Sequence, residues 1–228
     1  MPSVDTASAI LSSLDTLGVT HVLYCPGSRS APFAYALEAG SFSGDARPIL
    51  DERGAGFAAV GLARTGALPA IVVTSGTAVA ELAPAVLEAS HARLPLLVVS
   101  ADRPGELRGV GASQATHQSG FFGMYVRASI DLEPQEASPS LVGHLARAVA
   151  AACGAPSGTP GPVQIDVAFR DPLTPVRPAS DSGDEVRASF VPRPTRVMGA
   201  PAVPASGRRP LASRCSPNRR RARGAAGE

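Results

Sequence analysis

Ile49-Leu50-Asp51-Glu52-Arg53-Gly54-Ala55-Gly56 sets two adjacent carboxylates and a guanidinium between an apolar pair and a run of small residues, Ala55-Gly56-Phe57-Ala58-Ala59-Val60-Gly61-Leu62-Ala63. An acid held between a buried strand end and a tightly packed helix is partly desolvated, so its affinity for a proton rises. Such a carboxylate can share a proton with a ring nitrogen in neutral solution, as acid–base chemistry requires. The octapeptide alone leaves a second reading open: a solvated strand-to-helix turn, with Asp51 or Glu52 favoured by the helix dipole.

Three further segments carry groups of the same kind. Cys25-Pro26-Gly27-Ser28-Arg29-Ser30-Ala31-Pro32 follows a strand-like run and opens a helix. Backbone N–H groups, a hydroxyl and a guanidinium there make an anion site, and Arg29 can grip a carboxylate bidentately. A Pro-Gly turn with a surface arginine is the plainer alternative. Thr74-Ser75-Gly76-Thr77 is another strand-to-helix junction, with hydroxyls and an approachable backbone but without the Gly-Lys-Ser/Thr element of a Walker loop. Ser100-Ala101-Asp102-Arg103-Pro104-Gly105-Glu106-Leu107-Arg108 leads into Gly111-Ala112-Ser113-Gln114-Ala115-Thr116-His117-Gln118. This connection's two arginines and two amides suit a ligand with carboxylates and hydroxyls; a structural Asp102–Arg103 salt bridge is the alternative.

The elements that must position these groups alternate regularly. Helical spacing runs over 7–17 with Thr6 as N-cap, over 31–39, 53–65, 77–89 and 141–153. Strands are expected at 21–25, 48–50, 69–74, 94–100, near 126–132 and at 162–167. Continuously apolar strands such as Ala70-Ile71-Val72-Val73, separated by helices, predict an α/β fold: a single parallel sheet covered on both faces, three layers in all. Sites in such folds gather at the carboxyl ends of the strands. The four polar or glycine-marked junctions, 26–31, 51–54, 74–77 and 101–118, all fall there.

Composition bounds the rest. The chain has 228 residues, 44% hydrophobic and 18% charged, as suits a soluble core. No apolar run approaches the roughly 20 residues that span a bilayer, and Met1-Pro2-Ser3-Val4-Asp5 does not resemble a signal peptide, so a cytoplasmic protein without a membrane partner is expected. Three separated cysteines and four scattered histidines suggest neither a disulfide framework nor a metal site. Residues 1–185 carry 11 arginines against 18 acids, while residues 186–228 carry 10 arginines against one acid. From about residue 177 the periodicity vanishes into Pro, Arg, Ala, Gly and Ser. The expected division is a domain over residues 1–176 and a disordered Arg/Pro-rich tail over 177–228. An out-of-frame translation of GC-rich DNA explains that mixture; a basic nucleic-acid-binding arm is the alternative, but no aromatic residues are interleaved and no nucleic-acid partner is expected.

Taken in order, Cys-Pro-Gly-Ser-Arg, Asp-Glu-Arg-x-Ala-Gly, Thr-Ser-Gly-Thr-Ala-Val-Ala, Ala-Asp-Arg-Pro-x-Glu-Leu and Gly-Ala-x-Gln resemble the N-terminal, pyrimidine-binding domain of a thiamine diphosphate enzyme family of the menaquinone pathway, the 2-succinyl-5-enolpyruvyl-6-hydroxy-3-cyclohexene-1-carboxylate synthases. The resemblance covers about residues 4–175. Ser113 and Glu81 each stand where that family usually has an asparagine. The resemblance implies that Glu52 bonds the aminopyrimidine ring of thiamine diphosphate and activates it. The cofactor then decarboxylates 2-oxoglutarate, and the acyl carbanion adds to isochorismate. It implies cofactor contacts at Ser75, Gly76 and Thr77, and substrate contacts at Ser28, Arg29, Arg108 and Gln118, with Arg103 as a further anion contact.

One departure is large. Members of that family are more than twice as long and hold magnesium and the diphosphate on a C-terminal domain with a Gly-Asp-Gly motif. Ser182-Gly183-Asp184-Glu185 does not match it, and the family's middle domain has no counterpart here. The cofactor of these homo-oligomers lies between domains of two subunits, so this chain is expected to supply half of each site and to be inactive alone. A split enzyme, or a non-catalytic isochorismate-binding module, are the alternatives.

Overall fold

The computed structural model describes residues 3–134 and 138–175. The expectation of a disordered tail over 177–228 lies outside them. In chain order the elements are α1 (Ser3–Thr16), β1 (His21–Tyr24), α2 (Ala31–Glu38), β2 (Asp45–Pro48), α3 (Glu52–Arg64), β3 (Pro69–Val73), α4 (Thr77–Glu81), α5 (Ala83–His91), β4 (Leu96–Asp102), β5 (Ser129–Leu132), α6 (Pro139–Ala152) and β6 (Pro162–Ala168). The strands form one sheet in the order β2-β1-β3-β4-β6-β5. Every pairing is parallel. The α/β parallel-sheet fold read from the periodicity is the one observed.

Alternation along the strands divides the core between two faces. Val22, Val72, Leu97, Val99, Val163 and Ile165 point toward α1, α2 and α6, where Ile10, Leu11, Leu14, Phe33, Leu141 and Leu145 cover them. Leu23, Ile71, Val73, Leu96 and Val98 point the other way, onto Ala55, Ala59, Val79, Leu82 and Val86 of α3, α4 and α5. The central strands β3, β4 and β6 are buried at every residue, which is why β3 and the start of β4 read as unbroken apolar runs.

Some boundaries differ from expectation, each for a local reason. Helix α1 extends back to Ser3, so Thr6 is a buried residue inside it rather than its N-cap. The expected helix over 77–89 is divided at Leu82, where Pro84, at the start of α5, brings no N–H to continue the ladder. The strand expected at 48–50 lies earlier. Asp45–Pro48 pairs with β1 at the sheet edge, where Pro48 can sit without donating, and Leu50 is 84% exposed.

Connections from β1 and β3 leave in opposite directions, to β2 on one side and β4 on the other, so a topological switch point lies between their carboxyl ends. Gly27 and Thr74 meet there. A Cβ on Gly27 would stand 2.4 Å from the Thr74 Cβ, so only glycine lets these two loops close together.

The small residues of α3 have a packing purpose. A Cβ on Gly56 would come 2.7 Å from that of Ala85 on α5, whereas one on Gly61 would meet nothing within 4 Å. Gly61→Ala is therefore expected to stabilise the chain by about 0.5–1 kcal/mol through helix propensity. Gly56→Ala, despite the same propensity gain, should destabilise it by about 1–3 kcal/mol because two helix backbones must separate. Urea unfolding of the pair checks both signs.

Candidate functional site

The four junctions converge on one rim at the carboxyl ends of β1 to β4. Gly27 abuts Thr74, and the Asp51 and Glu52 carboxylates act electrostatically on Cys25, the residue after β1. Burial, and then those two carboxylates, push the Cys25 thiol up to about 12, so it is a packing residue and not a nucleophile.

The adjacent acids Asp51 and Glu52 divide the two readings of their octapeptide between them. Asp51 has extended backbone and is the N-cap of α3, its carboxylate accepting the Gly54 N–H at 2.6 Å. Glu52 is the first residue of the helix, and its half-buried carboxylate makes no hydrogen bond or ion pair among the described residues. The buried strand end expected ahead of the pair is absent, since Leu50 and Asp51 both face solvent. Phe57, five residues further along α3, is also 47% exposed.

Ser75 and Gly76 are buried beneath the 103–118 connection, and Thr77 is exposed. Their polar atoms are largely engaged. The Ser75 hydroxyl accepts from Arg103, the Ser75 carbonyl accepts from the Gln114 amide at 2.9 Å, and the Gly76 N–H donates to Gln118 Oε1 at 3.1 Å. Gly76 has φ +84°, and a Cβ there would meet Gln114 Cγ at 2.8 Å. The buried Thr74 hydroxyl beside this segment finds no partner among the described residues.

Residues 4–121, just over half of the chain, match the family described as thiamine pyrophosphate enzyme, N-terminal TPP binding domain. The chain belongs to the thiamine pyrophosphate enzyme family. Among curated relatives, the 2-succinyl-5-enolpyruvyl-6-hydroxy-3-cyclohexene-1-carboxylate synthase of Kineococcus radiotolerans is 51% identical over 181 residues, which cover 76% of this chain and 33% of that protein. The synthase of the same name from Rhodococcus erythropolis is 49% identical, covering 76% of this chain and 34% of that protein. That from Nocardia farcinica is 44% identical over 205 residues, covering 84% and 38%. The chain spans about a third of the length of these relatives. Among the described residues no helix is long and apolar enough to cross a membrane, and no group of three His, Cys, Asp or Glu side chains is arranged to hold a metal ion.

Within this thiamine pyrophosphate enzyme domain, the expected substrate residues separate into two sets. Ser28 is exposed on the rim, and Arg29 reaches past it with Nη1 donating to the Phe169 carbonyl at 2.9 Å and lying 3.8 Å from Asp171. Burial, and then the charge of Arg29, lower the proton affinity of Arg103. Arg108 and Gln118 lie behind the rim, each occupied by the protein itself. The Asp102–Arg103 pairing envisaged from adjacency does not form, because Asp102 pairs with Arg108 at 2.9 Å. Arg108 also holds Asp131 bidentately at 2.7 and 3.0 Å and stands 3.4 Å from Asp166 and 3.7 Å from Glu133. Gln118, 1% exposed, donates to the Ala101 carbonyl and to Asp166.

Asp166 is the residue that sequence reasoning missed. It lies inside the apolar strand Pro162–Ala168, and its place opposite Ser100 and Asp131 is a matter of register. The one available signal was the interruption of that strand by Gln164 and Asp166 at a spacing of two, which puts both on the same face. Burial pushes the Asp166 carboxyl up to about 7, opposed by hydrogen bonds from Ser100 and Gln118 and reinforced by Asp102 and Asp131.

A carboxyl raised in this way keeps a proton in the folded state that the unfolded chain releases. Its contribution to stability is present below about pH 4, the unfolded value, and is lost as pH rises toward about 7. Arg108→Leu removes the cation that offsets Asp102 and Asp166, and is expected to destabilise the chain by about 3 kcal/mol. The loss should be larger at pH 8 than at pH 5.5, where Asp166 is neutral. Urea denaturation of wild type and variant at the two pH values measures the difference.

Proposed function

We propose that this chain carries the cofactor-activating half of a 2-succinyl-5-enolpyruvyl-6-hydroxy-3-cyclohexene-1-carboxylate synthase, a transferase in which Glu52 is the acid–base residue. The observation that carries the reading is the unpartnered Glu52 carboxylate. It stands at the start of α3, beside the crevice between β1 and β3, while its neighbour Asp51 is consumed as the helix cap.

The residues on the rim suit an aminopyrimidine. Glu52 offers a free acceptor for a ring N–H. Thiamine diphosphate, when bound, supplies the electron sink for decarboxylating 2-oxoglutarate and passing the acyl unit to isochorismate. Glu52 holds and moves the proton at the ring nitrogen. Ser75, Gly76 and Thr77 wall the crevice, and Ser28 and Arg29, with Arg103, offer hydroxyl and guanidinium groups to substrate carboxylates. Arg108 and Gln118 act from behind, through the loop they hold. The diphosphate and its Mg2+ are assigned to residues outside the described set, on a further domain in a cytoplasmic homo-oligomer. The exposed Leu50, two residues before Glu52, supports such a covering partner.

The test is product formation from 2-oxoglutarate and isochorismate with thiamine diphosphate and Mg2+. The chain alone is expected to be inactive, and to become active when joined to the remaining two thirds of a relative such as the Rhodococcus erythropolis synthase. In that completed protein Glu52→Gln should lower kcat by at least 100-fold, while Asp51→Ala should cost about 1 kcal/mol of stability through the lost cap and leave kcat within a few-fold. Turnover by the chain alone, or full activity of Glu52→Gln, would sink the reading. Isochorismate heat in calorimetry without turnover of the completed protein would favour a binding module instead.

A further inference from the structure

Asp166 is fully buried, and β4, β5 and the 103–118 connection each bring polar or charged groups to it. Strand β4 contributes Ser100, whose hydroxyl donates to Oδ1 at 2.6 Å, and Asp102. Strand β5 contributes Asp131, directly opposite in register. The 103–118 connection contributes Gln118 Nε2, 2.8 Å from Oδ1, and Arg108 Nη2, 3.4 Å from Oδ2. Glu133 lies on the far side of Arg108, and Gln164 of β6 itself braces Gln118 by donating to its carbonyl at 2.6 Å.

Two chains of contact run from this carboxyl to the same segment. In the first, the Gln118 amide nitrogen donates to Asp166 and to the Ala101 carbonyl, so its oxygen must face the other way, where it accepts the Gly76 N–H. In the second, Arg108 Nε donates to the Arg103 carbonyl at 3.0 Å, and the Arg103 guanidinium donates to the Ser75 hydroxyl. Asp166 touches neither Ser75 nor Gly76, yet two of the segment's anchors lead back to it; the third is Gln114, which donates to the Ser75 carbonyl and accepts from Arg103. The close approach of Gln114 to Gly76 leaves little room for the segment to shift.

We propose that Asp166 is a positioning residue for Ser75-Gly76-Thr77, setting the segment through Gln118 on one side and through Arg108 and Arg103 on the other. The functional weight of this role rests on the segment lining the cofactor crevice; the coupling itself does not need the cofactor. Oδ1 already accepts two hydrogen bonds, so a proton enters on Oδ2, which faces Arg108. Protonation thus slackens the Arg108 limb while leaving the Gln118 limb in place, and the segment feels the charge of a side chain it never contacts.

NMR titration of the full chain from pH 5 to 8.5 tests this, following the Asp166 carboxyl carbon and the Gly76 amide together. The Gly76 amide is expected to shift with the midpoint of the Asp166 carboxyl. Asp166→Asn keeps the acceptor for Gln118 and should hold Gly76 protected from exchange with a flat pH profile. Gln118→Met should leave Asp166 titrating and lower the exchange protection of Gly76 at least tenfold, while a pH response carried by the Arg108 limb persists. A Gly76 amide that ignores the Asp166 titration in wild type, or that is equally protected in Gln118→Met, would overturn the proposal. A merely structural Asp166 would not link the two titrations. Neither readout involves Glu52 or thiamine diphosphate, so failure here is separable from failure of the functional reading.

Discussion

A single guanidinium, that of Arg108, ties together the carboxyl ends of three strands. Asp102 on β4, Asp131 on β5 and Asp166 on β6 all reach the same face, because parallel register places them there. Three carboxylates that close repel one another and resist burial, and one of them has no access to solvent. They coexist because Arg108 offsets them at once, and because Ser100 and Gln118 solvate Asp166 in place of water. The rim depends on this balance, since the same connection that brings Arg108 to the acids carries Arg103, Gln114 and Gln118 to Ser75 and Gly76.

A division of labour results. The β4–β6 side of the sheet is a closed, densely bonded scaffold, and the β1–β3 side carries exposed and unpartnered groups at the rim. Asp51 and Glu52 show the division at the scale of two residues. Asp51 satisfies a helix N–H and stabilises the turn; Glu52, one residue on, is left with a carboxylate that nothing in the described chain uses. Membership of the thiamine pyrophosphate enzyme family gives that spare carboxylate a chemical context.

Much of this was legible without coordinates. Unbroken apolar strands between helices led to a parallel α/β sheet, and the polar junctions after β1, β3 and β4 led to the rim, because backbone period and burial leave direct marks in residue order. The boundaries of β2 and α1 were less legible. Pro48-Ile49-Leu50 reads as apolar strand, but Pro48 ends an edge strand and Leu50 faces outward. Thr6 reads as a cap and is core. An edge strand and a helix end have weak local signatures, and contacts elsewhere decide them.

The sequence by itself determined the fold class and the family, since both depend on residue types at short spacing, and it singled out Glu52 through the family resemblance. Only the tertiary structure decided which groups are free to act. Arg29 and Arg103 each donate to neutral partners at the rim, the Phe169 carbonyl and the Ser75 hydroxyl, while Arg108, with the same side chain, is spent on acids behind it. Asp166 is invisible as a site residue in the run Val163-Gln164-Ile165-Asp166-Val167. Its partners lie as many as 66 residues away in the chain, at Ser100. Whether a charged group is available or consumed is set by what lies opposite it across strands, and register across a parallel sheet is a long-range property that no local stretch of sequence contains.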